Sequence, residues 1–201
     1  MAYNKFTLKG VLQKFSLSMT EKKDLFAAAQ PVAPSQILQT LLSEYTDVAT
    51  STNTEKARSE LLISPILMDV RRHLDNRISL FSGIKFDVDK AQGLNGYCDF
   101  LISQSPGQQF VVAPVVAIAE AKNDNPLNGF GQCIAEMVAA QIFNEREGTP
   151  RKVIYGVATT GVAWRFLQLE GQRLTIDQPD IYITDLEKIL GVLVYLVSQK
   201  G

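Results

Sequence analysis

The sequence predicts an α/β protein with a central mixed β-sheet flanked by helices. Apolar residues recur with a helical period in the first part of the chain, and from Ser82 onwards the runs typical of strands take over. A further helical segment interrupts these strand runs, an order that places helices on the faces of a sheet. The chain has 201 residues, 46% of them hydrophobic, which suits one domain with a sizeable core.

Residues 1–51 are predicted to form a helical N-terminal extension packed on the core. Ser18 and Glu21 have the spacing of a capping box, which predicts a helix directly after them. Prolines end this segment, and Ser35 then precedes a second helical pattern. The polar run TDVATSTNT is interpreted as a connector to the rest of the chain.

Residues 52–201 are predicted to form the main domain. Thr52 and Glu55 make a capping box that opens a longer helix, and Pro65 inside this helix predicts a kink or a junction. Glycine- and proline-containing turns then divide the chain, and a capping box at Thr184 opens the last helix. The predicted strands are residues 84–88, 97–103, 110–122, 151–160 and 162–170, with 181–185 as a further candidate, and the predicted helices that follow are 131–145 and 186–197.

Composition and charge exclude several classes of function. A net charge of -1 and a pI near 5.9 do not fit a protein that coats nucleic acid through bulk positive charge. The single His73 excludes a histidine-rich metal site, and Cys98 and Cys133 are expected to be buried free thiols. The sequence shows no signal-peptide core and no apolar run of the roughly 20 residues that a membrane span needs. A soluble, cytoplasmic protein without membrane contact is therefore expected.

The run VVAIAEAKNDN places two charged residues at the end of an otherwise apolar segment. Side chains two residues apart in a strand share a face, so Glu120 and Lys122 are predicted to lie together. Val116 and Ile118 precede them with the same spacing, and this face is therefore expected to be buried. Because burying either charge alone is costly, each needs a partner or an ion.

Asp99, in the preceding predicted strand, is a candidate for such a partner. If the two strands form a hairpin, Asp99 comes beside Glu120, and two crowded carboxylates ionise together only when a cation joins them. Hard oxygen ligands favour Mg²⁺, or Mn²⁺ as a substitute. A divalent ion lowers the pKa of a bound water and stabilises charge on a phosphoryl oxygen, while Lys122 can orient or deprotonate that water. This pattern fits the hydrolysis of phosphodiester bonds.

The pattern GYCDF…AEAK resembles the core motif of the PD-(D/E)XK nuclease superfamily, which has the restriction-endonuclease-like fold. The likeness extends to the preceding helix, where SELLISPIL carries Glu60, and to the following helix, where GQCIAEM carries Gln132. These segments, together with TTGVAWRFLQL, are similar to the N-terminal nuclease domain of type I restriction-enzyme motor subunits. The likeness covers about residues 54–169, but the proline that often precedes the first aspartate is absent.

The resemblance implies a Mg²⁺-dependent nuclease that acts on nucleic acid, in the first place DNA. By resemblance, Asp99, Glu120 and the main-chain carbonyl of Ala121 ligate the metal. Lys122 would position the attacking water and stabilise the charge that develops during the reaction.

The resemblance also suggests roles for residues on the two flanking helices. Glu60 would hold a metal-bound water or a second ion, and Gln132 would hydrogen-bond near the active-site lysine or contact DNA. Glu136 and Gln141 lie on the same helix as Gln132 and are secondary candidates. A homodimer is compatible with this function, since duplex cutting needs two sites or one site used twice. The apolar run GVLVYLV fits either a core or such an interface.

Each of these residues also has a purely structural interpretation. Glu120 and Lys122 can form a simple ion pair at a strand end. Glu60 can be a solvated helix residue, and Gln132 can face solvent at the start of its helix. Trp164 is predicted to belong to the core rather than to a base-stacking platform. For the whole chain, the alternative is a catalytically silent accessory module that binds nucleic acid or protein on the same fold.

Overall fold

A computed structural model describes residues 2–199 and has an α/β architecture, with one mixed eight-stranded sheet and helices on both of its faces. The predicted domain bounds also include Met1, Lys200 and Gly201, which lie outside the described residues. The helices are α1 (Leu8–Lys14), α2 (Gln36–Thr52), α3 (Glu55–Arg58), α4 (Ser64–His73), α5 (Phe130–Arg146) and α6 (Leu186–Ser198). The strands are β1 (Ser18–Lys23), β2 (Ser79–Lys85), β3 (Tyr97–Ser103), β4 (Val115–Ala121), β5 (Val153–Thr159), β6 (Ala163–Glu170), β7 (Arg173–Gln178) and β8 (Ile181–Tyr182).

The sheet has the strand order β1-β7-β6-β5-β4-β3-β2, and β8 pairs with β6. The inner strand β4 is buried along its whole length, as its apolar run up to Glu120 predicts. β4 runs antiparallel to β3 and parallel to β5, and α5 makes the crossover between the two parallel strands. The C-terminal end of β4 therefore lies between the start of β3 and the start of α5.

Two apolar clusters fill the space between the sheet and its helices. α1 and α5 cover one face, while α2, α4 and α6 cover the other. The last helix is part of this core rather than an interface, because Ile189, Leu193 and Leu196 are buried against the sheet. Trp164 is fully buried and its indole nitrogen donates to the carbonyl oxygen of Gly161, so the prediction of a core role is confirmed. Within residues 2–199, no helix has the length and apolar character needed to cross a membrane.

The helix predicted after Ser18 and Glu21 is wrong, because these residues belong to the edge strand β1. The backbone nitrogen of Ser18 donates to the carbonyl oxygen of Gln172, and Thr20 lies beside Thr175 in parallel register with β7. All residues of β1 are exposed, so no buried face imposes the alternation by which a strand is recognised. Pairing with a strand distant in sequence outweighs the local capping pattern, and the N-terminal region is not helical throughout.

The second predicted helix is confirmed, but it is longer than expected. Ser35 caps α2, as predicted, by accepting a hydrogen bond from the backbone nitrogen of Leu38. The polar run TDVATSTNT continues the helix as far as Thr52 instead of forming a connector, and only its last two residues separate α2 from α3. Within the helix, the hydroxyl groups of Thr46 and Thr50 are satisfied by donating to carbonyl oxygens one turn earlier.

The junction predicted at Pro65 is present as a π-helical turn, Ser59–Ile63, between α3 and α4. Proline has no backbone N–H to donate, so a regular helical ladder is interrupted there. The cap of α3 is Thr54 rather than Thr52, since the Thr54 hydroxyl oxygen accepts from the backbone nitrogen of Ala57.

Two further differences concern the C-terminal part of the chain. The sequence patterns did not predict β7, whose polar residues precede Pro179. The capping box at Thr184 is also wrong, because α6 starts after Asp185 and no side chain accepts a hydrogen bond at that cap. Cys98 and Cys133 are buried free thiols, as expected.

Candidate functional site

The candidate site lies where β3 and β4 separate. Their antiparallel ladder ends at Phe100 opposite Ala119, so that the next residue pair in this register is Asp99 and Glu120. Asp99 replaces a backbone partner there, because its Oδ2 accepts a hydrogen bond from the backbone nitrogen of Ala121 at 2.8 Å. The hairpin predicted from the sequence is thus present, with Asp99 between the two strand ends.

A cavity of about 460 Å³ opens at this end of the strands. Four of the residues predicted for the site contribute to its walls: Asp99, Glu120, Lys122 and Gln132. Four other predicted residues are not among those that line it: Glu60, Ala121, Glu136 and Gln141. The arrangement places two carboxylates, an ammonium group and a carboxamide around one space.

The Lys122 ammonium group contacts two of the predicted metal-ligand oxygens. Its Nζ donates to Glu120 Oε1 at 2.6 Å and to the main-chain oxygen of Ala121 at 2.8 Å. The side chains of Lys122 and Glu120 are 18% and 1% exposed, so water screens this pair far less than it screens a surface salt bridge. A cation and two hard oxygen atoms are therefore already assembled at the end of β4.

Glu120 reaches the cavity because of the regular pleat at the end of β4. Ile118 packs in the apolar cluster beneath α5, on the same side as predicted, whereas Val116 packs in the opposite cluster. The strand pairing shifts between Ile102 and Ser103, and such a bulge changes the side-chain alternation on the bulged strand. The predicted common face therefore holds for Ile118 and Glu120 but is wrong for Val116.

Gln132 and Glu136 extend the site into the interior along α5. Gln132 Nε2 donates to Glu120 Oε2 at 2.9 Å and to Glu136 Oε1 at 3.1 Å. Glu136 lies one turn further along the helix and is fully buried, and its second oxygen, Oε2, has no hydrogen-bond partner within the described part of the chain. The Gln132 carboxamide thus links two buried carboxyl groups. Because Glu136 accepts from Nε2, the amide is oriented with its nitrogen rather than its oxygen toward Glu120.

Glu55, rather than the predicted Glu60, lies beside Lys122 in the candidate site. Glu60 is 60% exposed and pairs with Lys56 at 2.7 Å. It lines a neighbouring cavity that also contains Asp99 and Glu55, but it does not reach Lys122. Glu55 Oε2 lies 3.6 Å from Lys122 Nζ, and Glu55 lines both cavities.

Sequence patterns assigned Glu55 only to a capping box. Residues five apart on a helix point in different directions, so two glutamates on one helix could not both be placed toward the site. The turn that follows Arg58 is π-helical, which further changes the direction of Glu60. The sequence signal that could have identified Glu55 was the presence of a second acidic residue near the start of the same helix.

Burial and crowding shift the pKa values of the two acids. Burial raises the pKa of Glu120 well above its ordinary value, Glu136 and Asp99 add to this, and Lys122 opposes it. Burial raises the pKa of Glu136 to about 8, and the hydrogen bond from Gln132 only partly offsets the effect. Burial lowers the pKa of Lys122, but the adjoining Glu120 carboxylate outweighs this and the net shift is upward. Lys122 is therefore cationic at neutral pH.

The oxygen atoms at the end of β4 are ligands of the type that a hard cation prefers, although they do not come from a cluster of acidic side chains. Among residues 2–199, no group of three or more His, Cys, Asp or Glu side chains is arranged to hold a metal ion. The oxygen atoms available at the end of β4 are the carboxylates of Asp99 and Glu120 and the carbonyl of Ala121. Ions such as Mg²⁺ often use one or two carboxylates and keep several waters, so this number of ligands fits Mg²⁺.

The N-terminal segment and the turn before β3 supply walls that the sequence did not predict. Ala2, Tyr3 and Asn4 line the cavity, together with Gly96 in the turn and Tyr97 at the start of β3. Tyr3 is buried, and its hydroxyl group donates to the carbonyl oxygen of Phe86. This segment carries no recognisable motif, so only the folded chain reveals its position.

The connection between β4 and α5 passes very close to the charged pair. A Cβ atom at Gly129 would lie 3.1 Å from Glu120 Cγ and 3.2 Å from Lys122 Cγ. A side chain at this position would press on both residues, so glycine allows the close approach.

Comparisons of the chain with protein-family models and with curated proteins give no match.

Proposed function

We propose that this protein is a metal-dependent nuclease that hydrolyses phosphodiester bonds, in the first place in DNA, with a restriction-endonuclease-like domain. The observation that carries the proposal is the position of the Lys122 ammonium group, which donates to Glu120 Oε1 and to the Ala121 carbonyl oxygen. These oxygens, with the carboxylate of Asp99 beside them, are suitable ligands for Mg²⁺ or Mn²⁺.

The residues of the cavity would divide the chemistry among them. Asp99, Glu120 and the carbonyl of Ala121 would hold the ion, which supplies charge neutralisation and a more acidic bound water. Lys122 lies within hydrogen-bond reach of the same space and can orient a water for in-line attack or donate to the phosphate oxygen. Lys122 now donates to both of these oxygens, and Glu55 is the nearby carboxylate that would receive its ammonium group if the oxygens held an ion instead.

Gln132 would act by holding Glu120 in place. Its carboxamide donates to Glu120 Oε2, which leaves Oε1 as the oxygen that faces Lys122. A carboxylate fixed at one oxygen loses rotational freedom before it binds a ligand, and this lowers the entropic cost of binding. Both proposed ligand carboxylates are restrained in this way, because Asp99 accepts from the backbone of Ala121.

A catalytically silent accessory module is the second candidate, and one observation favours it. The three groups Lys122, Glu120 and Gln132 satisfy one another, so the charge of the buried glutamate is already compensated by the lysine. An ion pair of this kind needs no metal to be stable. A protein that kept the scaffold as a binding surface would have this network without hydrolytic activity.

Cleavage assays on plasmid and single-stranded DNA distinguish the two functions. With Mg²⁺ or Mn²⁺, wild type should cleave, and Lys122→Ala should lower the rate by about 10²- to 10⁴-fold. Lys152→Ala is the matched control, because Lys152 is an exposed lysine that pairs with Glu170 on the sheet surface. It should cleave like wild type.

The pattern of rates decides between the candidates. Equal rates for wild type and Lys122→Ala would reject Lys122 as part of the catalytic site. No metal-dependent cleavage by wild type on either substrate would favour the accessory module.

A further inference from the structure

Tyr97 is an exposed aromatic residue on the wall of the candidate active site. It is 65% exposed and lines the same cavity as Asp99 and Lys122. It precedes Asp99 by two residues on β3, a separation of about 7 Å along a strand. The buried Trp164 cannot offer its ring to a ligand, whereas the ring of Tyr97 is available.

The backbone around Tyr97 is held firmly. The nitrogen of Gly96 donates to Asp87 Oδ1 at 3.0 Å, and the nitrogen of Phe86 donates to the carbonyl oxygen of Gly96 at 2.8 Å. Tyr97 also pairs with Lys85 across the antiparallel ladder of β2 and β3. An aromatic side chain on a fixed backbone loses little entropy when a flat partner packs on it.

The charges of the cavity disfavour the backbone of a duplex. Among the described residues that line it, Glu55, Asp99 and Glu120 stand against a single cation, Lys122. Proteins that bind duplex DNA mainly through its backbone neutralise many phosphates with lysine and arginine. With this excess of carboxyl groups, a phosphate would be accepted only at Lys122 and at an ion held by the proposed ligands, so further binding energy has to come from contacts with a base.

We propose that Tyr97 is a stacking platform for a base next to the scissile phosphate, and that the substrate is single-stranded nucleic acid. Stacking on an aromatic ring requires a base with one free face, and bases inside a duplex have both faces covered by their neighbours. The separation of Tyr97 and Asp99 along β3 lets the base lie on the ring while its phosphate enters the cavity. This inference rests on the proposed nuclease function, because it takes the phosphate to be bound at Asp99 and Glu120.

Binding of a fluorescein-labelled oligothymidylate, followed by fluorescence anisotropy, tests the inference. The titration uses Mn²⁺ and the Lys122→Ala background, which keeps the oligonucleotide intact. Adding Tyr97→Ala should weaken binding about 5- to 150-fold, equivalent to about 1–3 kcal/mol of stacking. Tyr97→Phe should bind like the background protein, and Tyr97→Leu should lose as much as alanine, because leucine is apolar but cannot stack. Tyr182→Ala is the matched control, since Tyr182 is 54% exposed but lies on β8 and does not line this cavity.

Three results for relative affinity would overturn the inference: equal affinity with and without Tyr97→Ala, a loss with Tyr97→Phe as large as with alanine, or tighter binding of a duplex of the same sequence. Absence of binding to the single strand would overturn it as well. The readout is separate from that of the nuclease proposal, which fails when wild type does not cleave. Binding that depends on Tyr97 in a protein that never cleaves would reject the nuclease and retain the stacking platform.

Discussion

Replacing Glu136 with glutamine should remove a large pH dependence from the stability of this protein. Glu136 is fully buried on α5, and burial raises its pKa from 4.5 to about 8. Between these two pH values, the folded protein retains a proton that the unfolded chain has released. The stabilisation is therefore complete below about pH 4.5 and is lost as the pH rises through about 8.

The size of the effect follows from the pKa shift. One pH unit corresponds to about 1.36 kcal/mol, so the full shift amounts to roughly 5 kcal/mol, and the part between about pH 6 and pH 9 to roughly 3 kcal/mol. Glutamine has nearly the same shape and keeps a hydrogen-bond acceptor for Gln132, but it does not titrate. The free energy of unfolding of Glu136→Gln should consequently fall less than that of wild type as the pH is raised.

Urea denaturation of both proteins at about pH 6 and about pH 9 measures this difference. Glu145→Gln, on the exposed end of the same helix, is the matched control and should follow wild type. An equal loss of stability in wild type and Glu136→Gln between the two pH values, or a gain of wild type relative to the variant, would show that Glu136 does not hold a proton in the folded protein.

Other substitutions test the packing around the site. Gly129→Ala should lower the rate of DNA cleavage about 10- to 100-fold by displacing Glu120, with little change in the stability measured by urea denaturation. An unchanged cleavage rate would contradict the close contact between residue 129 and Glu120. Gly131→Ala should destabilise by about 1–3 kcal/mol and expose the N-terminal segment to protease, because its Cβ would lie 2.1 Å from the Phe6 carbonyl oxygen. Asp69→Ala should cost about 3–5 kcal/mol in urea denaturation, because buried Asp69 accepts hydrogen bonds from Ser35 and Arg72; a loss below about 1 kcal/mol would argue against this network.

The sheet-forming half of the fold could be predicted because its signals are local. The continuous apolar run of β4 and the apolar pattern of α5 each identify one buried element, and the two elements meet in one crossover. β1 and β7 could not be predicted in this way. β1 is exposed along its whole length, so its strand structure comes from pairing with a distant segment rather than from its own pattern.

The residues of the candidate site likewise fall into those that the sequence could place and those that it could not. Asp99, Glu120 and Lys122 could be brought together from the sequence, because a hairpin and the alternation of strand side chains fix their relation. The choice between Glu55 and Glu60 depends on the π-helical turn at Ser59–Ile63, which no residue pattern revealed.

The buried and exposed residues around the motif also escaped the sequence patterns. Glu136 could be named as a secondary candidate on its helix, but its burial and its bond to Gln132 depend on how α5 packs on the sheet. The exposure of Tyr97 and the position of the N-terminal segment likewise depend on contacts between parts of the chain that are far apart in sequence.

The proposed function requires that Asp99, Glu120 and the Ala121 carbonyl form a site for one divalent cation. Isothermal titration of Mn²⁺ into wild type and Glu120→Gln tests it most directly, with Glu21→Gln on the edge strand as the control. We expect saturable binding of one ion per chain in wild type and in the control, and its loss in Glu120→Gln. Absence of saturable binding to wild type at millimolar Mn²⁺, or equal binding by Glu120→Gln, would rule out this cation site.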